Sequence, residues 1–179
     1  MSEATLRLAM IEDVPAIEQL IALSARGLCL GDYSAAQVDA ALGTAWGCDS
    51  ELIRDGTYFV AVASGPLVAC GGWSRRRTLF GGDAQQGRVS DPLDPERDAA
   101  RIRAFFVHPD WARRKLGRLL LDRCESEARS HGFRAVQLMA TLTGERFYRQ
   151  FGYAGEPAVE YALPGDQVVR FVPMRKSFG

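Results

Sequence analysis

Three features of this chain point to an α/β arrangement, a central mixed β-sheet with helices on both faces. Two β-rich runs, Tyr58 to Ala63 and Leu67 to Trp73, are split by Ser64-Gly65-Pro66, as in an antiparallel hairpin. From Leu116 onward, Leu116, Leu119, Leu120, Cys124 and Ala128 share one helical face that ends at His131-Gly132. After that helix, strand-like and helix-like runs alternate.

In chain order, Leu6 and Leu8 alternate with Thr5 and Arg7 as in a short strand. Glu12-Asp13 and Pro15 then open a helix with apolar Val14, Ile17, Leu20 and Ile21, continued by Ser24 or Ala25 and closed by Gly27 and Gly31. Ser34 followed by Gln37 forms a capping box for a second helix through Val38, Ala41, Leu42 and Ala45. The hairpin follows. Phe80 to Asp98, with its glycines, prolines and charges, reads as either a functional flap or a mobile insertion. Ile102 to Val107 resumes strand character ahead of the Leu116 helix. Ala135 to Ala140 is a further strand and Glu145 to Phe151 a short helix. Tyr153 to Leu163 and Val168 to Met174 are two last strands, joined through Pro164-Gly165-Asp166. No repeat or boundary interrupts the pattern, so residues 1–179 are read as one domain.

The 179 residues are 47% apolar and 25% charged, which excludes global disorder. Basic and acidic residues balance at 22 each, which argues against a dedicated nucleic-acid or membrane-surface binder. No window approaches a membrane span, and MSEATLRLAM lacks the marks of a secretory signal, so a cytoplasmic protein is expected. Cys29, Cys48, Cys70 and Cys124 form no C-x-x-C pair and read as small core hydrophobes. With two histidines, neither metal spacing nor a Ser-His-Asp order stands out.

The segment Phe106-Val107-His108-Pro109-Asp110-Trp111-Ala112-Arg113-Arg114-Lys115-Leu116-Gly117-Arg118 ends a strand, turns and starts a helix. A row of backbone N–H groups and the helix dipole then point at one spot, which suits a pyrophosphate. This segment resembles the acyl-CoA-binding R/Q-x-x-G-x-G/A segment of the GNAT superfamily of N-acetyltransferases. Gly117 keeps the last position, Ala112 stands where Arg or Gln is usual, and Lys115 replaces the first glycine. Backbone donors survive such changes, and a lysine beside a diphosphate adds charge attraction. Thr141 to Tyr153 is similar to the family's N-x-x-A-x-x-x-Y-x-x-x-G-F/Y segment: Tyr148, Gly152 and Tyr153 match, while Thr141 replaces Asn and Gly144 replaces Ala. Arg7 to Ile17 resembles the family's opening.

The resemblance implies a GNAT-like fold, acetyl-CoA as acyl donor and an N-acetyltransferase that moves an acetyl group to a primary amine by direct attack. Tyr148 would be the general acid on the departing CoA thiolate, since a phenol with a free pKa near ~10 stays loaded at neutral pH. The main chain of Phe106 and Val107 would hold the pantetheine arm and acetyl carbonyl. Arg113, Arg114, Lys115, Leu116, Gly117 and Arg118 would hold the phosphates, the four cations being unfavourable at a positive helix end without an anion. Thr141 matches a cofactor-contacting position. His108 is a candidate base of lesser weight, His131 a helix terminus; Glu51, Glu145 and Glu160 are more simply surface charges. The acceptor, a small-molecule amine or a protein or peptide amine, would sit between Arg26 to Tyr33 and Glu160 to Val169. Neither nucleic acid nor membrane is an expected partner, and a homodimer stays open. The competing reading is a non-catalytic acyl-CoA-binding sensor module, from which Tyr148 is the distinguishing feature.

Overall fold

The computed structural model describes residues 3–179; Met1 and Ser2, which begin the stretch read for a leader, lie outside it. The strands are β1 (Thr5–Leu8), β2 (Tyr58–Val62), β3 (Leu67–Ser74), β4 (Ala100–Val107), β5 (Ala135–Thr141), β6 (Ala154–Gly155), β7 (Val159–Leu163) and β8 (Gln167–Ser177). The helices are α1 (Val14–Leu28), α2 (Ala35–Ala41), α3 (Ser50–Arg54), α4 (Leu116–Ser130) and α5 (Leu142–Gln150). The sheet runs β1-β2-β3-β4-β5-β8-β6, with β7 also on β8. The β4–β5 pair is parallel and the other pairs are antiparallel.

Two apolar clusters cover the two faces, as the mixed-sheet reading requires. One joins α4 and α5 to the sheet through Leu120, Leu121, Cys124 and Tyr148. The other joins α1 and α2 through Ile17, Leu20, Ile21 and Val38. Ser34 and Gln37 cap α2 reciprocally, as their spacing predicts. His131 ends α4. All four cysteines are buried and free.

Several boundaries differ from the sequence reading. α1 continues through Gly27, whose hydrogen faces Pro109; a Cβ there would stand 2.3 Å from the proline Cγ, so the glycine permits close approach instead of ending the helix. α3 was hidden by its length, although Asp49 caps it at Glu51 N–H. α5 begins three residues before Glu145, at Leu142. The Tyr153 to Leu163 run breaks at Pro157 into β6 and β7. The Phe80 to Asp98 segment is not a loose insertion. Thr78 Oγ1 donates to Val89 O, Gly82 N–H to Thr44 O and Asp83 N–H to Cys48 O, while Arg88 reaches buried Asp49 at 2.6 Å.

Candidate active site

β4 and β5 pair at Ala100↔Val136 and Arg101↔Gln137, and then no further. β5 meanwhile stays paired with β8 from Ala135 to Thr141, so the divergence belongs to β4. Its cause is a bulge: the β3–β4 register shifts between Cys70 and Gly72, and Ala104 opposite adopts φ 52°. The Tyr58 hydroxyl fixes that turn by donating to Ala104 O at 2.9 Å. An alanine carries no sequence signal for left-handed backbone, so the bulge escapes sequence reasoning.

Past the bulge, His108 N–H bonds Val68 O on β3. Antiparallel alternation therefore turns the main-chain groups of Phe106 toward β3 and those of Val107 into the gap. Ser24 of α1, buried and read from the sequence only as a helix-face position, accepts from Val107 N–H at 3.3 Å.

The gap opens into a cavity of about 250 Å³. Phe106, Val107, Gly117, Thr141 and Tyr148 all line it, which brings one residue set from β4, α4, β5 and α5 together. Arg113, Arg114, Lys115 and Arg118 stand outside the cavity at the exposed start of α4, and the Leu116 side chain enters the core, leaving its amide for any ligand. Arg118 is already engaged, with Asp122 at 2.7 Å and its guanidinium over Phe151. Arg114 lies over Trp111. Among the described residues no acidic side chain forms an ion pair with Arg113, Arg114 or Lys115.

The backbone at the α4 start is strained. Arg113 has φ 62° and Lys115, the residue preceding the helix, has φ 65° and ψ 8°. For L-residues the left-handed region costs about 1–2 kcal/mol each. No side chain caps this helix, so its first amides have no protein partner from a cap. Left-handed residues ahead of a helix form a concavity of N–H groups, the backbone form of an anion site. Gly117 has a second reason to be small: a Cβ there would meet the Phe147 ring at 3.1 Å.

Tyr148 is buried, and its hydroxyl has no hydrogen-bond partner among the described side chains or main chain. The hydroxyl is not sealed from solvent, and Tyr148 lines the cavity. Burial, with the Cys124 thiol a smaller contribution, pushes the phenol well above its usual value. Thr141 serves as the cap of α5, its Oγ1 accepting from Gly144 N–H at 2.9 Å; its own proton is left to donate. Tyr33, which the sequence reading placed only in a link, accepts from Leu142 N–H at 2.9 Å and donates to Arg170 O at 2.6 Å.

The remaining candidates fall away from the cavity. His108 accepts from Asp110 N–H through Nδ1, capping a short 3-10 turn. Glu145 pairs with Arg149, Glu51 faces Arg76 at 3.7 Å, and neither they nor Glu160 reach the cavity. Of the expected acceptor region, Leu28 and Cys29 line the cavity but none of Glu160 to Val169 does; Trp46, Leu79, Phe80 and Phe171 take that side instead. The described residues hold no cluster fit for a metal ion, and no described helix is long and apolar enough to cross a membrane.

Residues 27–153 match the family model of the acetyltransferase (GNAT) family. Among solved structures, a GCN5-related N-acetyltransferase from Rhodopseudomonas palustris is 21% identical over 99% of this chain and 98% of its own, with a TM-score of 0.73. The PaiA N-acetyltransferase of Thermoplasma acidophilum, in complex with coenzyme A, is 15% identical, covers 98% and 99%, and scores 0.67. YncA of Salmonella typhimurium, with acetyl-CoA, is 17% identical, covers 99% and 95%, and scores 0.63. No curated protein sequence matches.

Proposed function

Because the chain belongs to the acetyltransferase (GNAT) family, we propose that it transfers an acetyl group from acetyl-CoA to an amine, as one catalytic domain over residues 1–179, in the cytoplasm. The observation that carries the reading is the gap between β4 and β5, which joins a cavity lined by Tyr148 to an uncapped, cationic helix start. Solved neighbours of the same fold hold coenzyme A or acetyl-CoA, and the residues here fit such a ligand. An extended pantetheine arm matches a strand edge at which the Val107 main chain turns into the gap, its N–H on Ser24 and its carbonyl left to accept. The diphosphate matches the Leu116, Gly117 and Arg118 amides, with Arg113, Arg114 and Lys115 supplying charge. Arg118 contributes through its amide more than its guanidinium, which Asp122 and Phe151 hold.

The chemistry is direct attack of the amine nitrogen on the thioester carbon. The sulfur leaves as a thiolate and needs a proton. Tyr148 lines the cavity with a phenol hydroxyl that has no hydrogen-bond partner among the described residues, and burial keeps it protonated at neutral pH. Thr141 holds α5, which carries Tyr148, by capping it. Acetyl-CoA binding to the native state alone should raise stability by about 2.7 kcal/mol at ~100 times its dissociation constant. A thermal-shift titration with acetyl-CoA, followed by thiol release on an amine panel, tests the reading; a flat melting profile contradicts it.

A further inference from the structure

The α1 side of the cavity is aromatic and apolar. Trp46 and Phe171 are buried, Phe80 lies 5.3 Å from the Phe171 ring, and Leu28 and Phe106 extend the wall. No Asp, Glu, His or Lys lines the cavity among the described residues, and Arg103 is its one charged residue. Arg103 is 3% exposed, and its guanidinium donates to Asp49 at 2.9 Å, to Gly81 O at 2.8 Å and to Thr78 O at 3.3 Å. Asp49, the carboxylate behind this wall, also holds Arg88 at 2.6 Å. Two guanidiniums therefore share it, and it has nothing left for an ammonium.

An alkylammonium entering here would shed its water next to a guanidinium and meet no carboxylate in the lining, an arrangement buried charges avoid. The space admits a ring: a dry apolar cavity of roughly 150 Å³ holds one benzene, and this one is about 250 Å³.

We propose that the acceptor is an arylamine, whose conjugated nitrogen is neutral at physiological pH, with its ring against the wall of Trp46, Phe80 and Phe171. This rests on the acetyltransferase reading above. The nitrogen forms a bond to the acetyl carbon, the carbon–sulfur bond breaks, and one proton passes from nitrogen to sulfur. Tyr148 gives its proton to the sulfur and regains one from the nitrogen, so the reaction balances without a carboxylate in the wall.

The test uses the full chain and four probes: aniline, n-butylamine and spermidine as acceptors with acetyl-CoA, and hexanoyl-CoA as a longer donor. Aniline should exceed both alkylamines in kcat/KM by about ten-fold or more near pH 7. Its rate should be flat around neutrality, where an alkylamine rate rises with pH as the ammonium deprotonates. Leu28→Glu sets a carboxylate at the partly exposed rim and should narrow the ratio in favour of spermidine. Normal acetyl-CoA stabilisation with preferred spermidine or n-butylamine overturns this proposal alone. Faster turnover of hexanoyl-CoA than acetyl-CoA with no aniline acetylation also overturns it, by giving the wall to the acyl chain. Absence of any acetyl-CoA stabilisation overturns the acetyltransferase reading, and this proposal with it.

Discussion

The two helices that follow the diverging strands begin in opposite ways. α5 is closed by its own protein: Thr141, extended at φ −64° and ψ 157°, caps Gly144 N–H, and Leu142 N–H bonds the Tyr33 hydroxyl. Asp32 adds a bond from Thr143 Oγ1 at 2.8 Å. α4 begins after a left-handed lysine with no cap, and Arg113, Arg114 and Lys115 crowd its positive end. Each such cation is unfavourable there by about 0.3–1 kcal/mol until an anion arrives. One start is closed by side chains and carries Tyr148; the other leaves its first amides without a side-chain cap. A threonine against a lysine at the residue that precedes the helix makes the difference.

The largest way to break this comparison is at the capped side. Tyr148→Phe should lower turnover by about 10²-fold or more while melting near the wild-type temperature and binding acetyl-CoA normally, as calorimetry and steady-state rates would show. As the proposed acid Tyr148 works protonated, so the rate should fall as pH rises through its pKa. Burial raises that pKa, which moves the falling limb above the ordinary phenol range near ~10. A limb below that range, lost in Tyr148→Phe, would contradict the burial.

On the binding side, Gly117→Val should weaken acetyl-CoA binding at least ~ten-fold. It should also cost about 1–3 kcal/mol of stability, because the new side chain drives into Phe147. Thr141→Ala removes the α5 cap and should cost about 1 kcal/mol, a fall in Tm of roughly 2–4 °C. The smallest change sharpens the contrast. Lys115→Gly should raise the stability of the free protein by up to ~1 kcal/mol, by removing left-handed strain. The same variant should bind acetyl-CoA with less dependence on ionic strength. A lysine without phosphate contact would leave that dependence unchanged.

The same contrast explains what could be read from the sequence. Periodicity and turn residues placed the hairpin, α1, α2 and α4, because their apolar stripes and punctuation are local. Motif spacing brought Val107, Gly117, Thr141 and Tyr148 to one place. What stayed hidden is long-range. The order of the 80–98 segment depends on Asp49, which precedes it by a long stretch of chain, and on Gln85 meeting the Tyr161 hydroxyl. The opening of the gap depends on Ala104 and Tyr58, neither unusual alone. The apolar wall of the cavity also escaped the sequence, because it is assembled from α1, residues 45–47 and 79–81, and Phe171, which only the fold unites.

Amide resonances followed during titration with CoA test most directly whether the open helix start is the anion site. The account predicts large downfield shifts at Leu116 and Gly117, whose N–H groups gain a phosphate, with the Gly144 amide, already bonded to Thr141, moving far less. Shifts concentrated at the α5 start, with Leu116 and Gly117 unmoved, would contradict it.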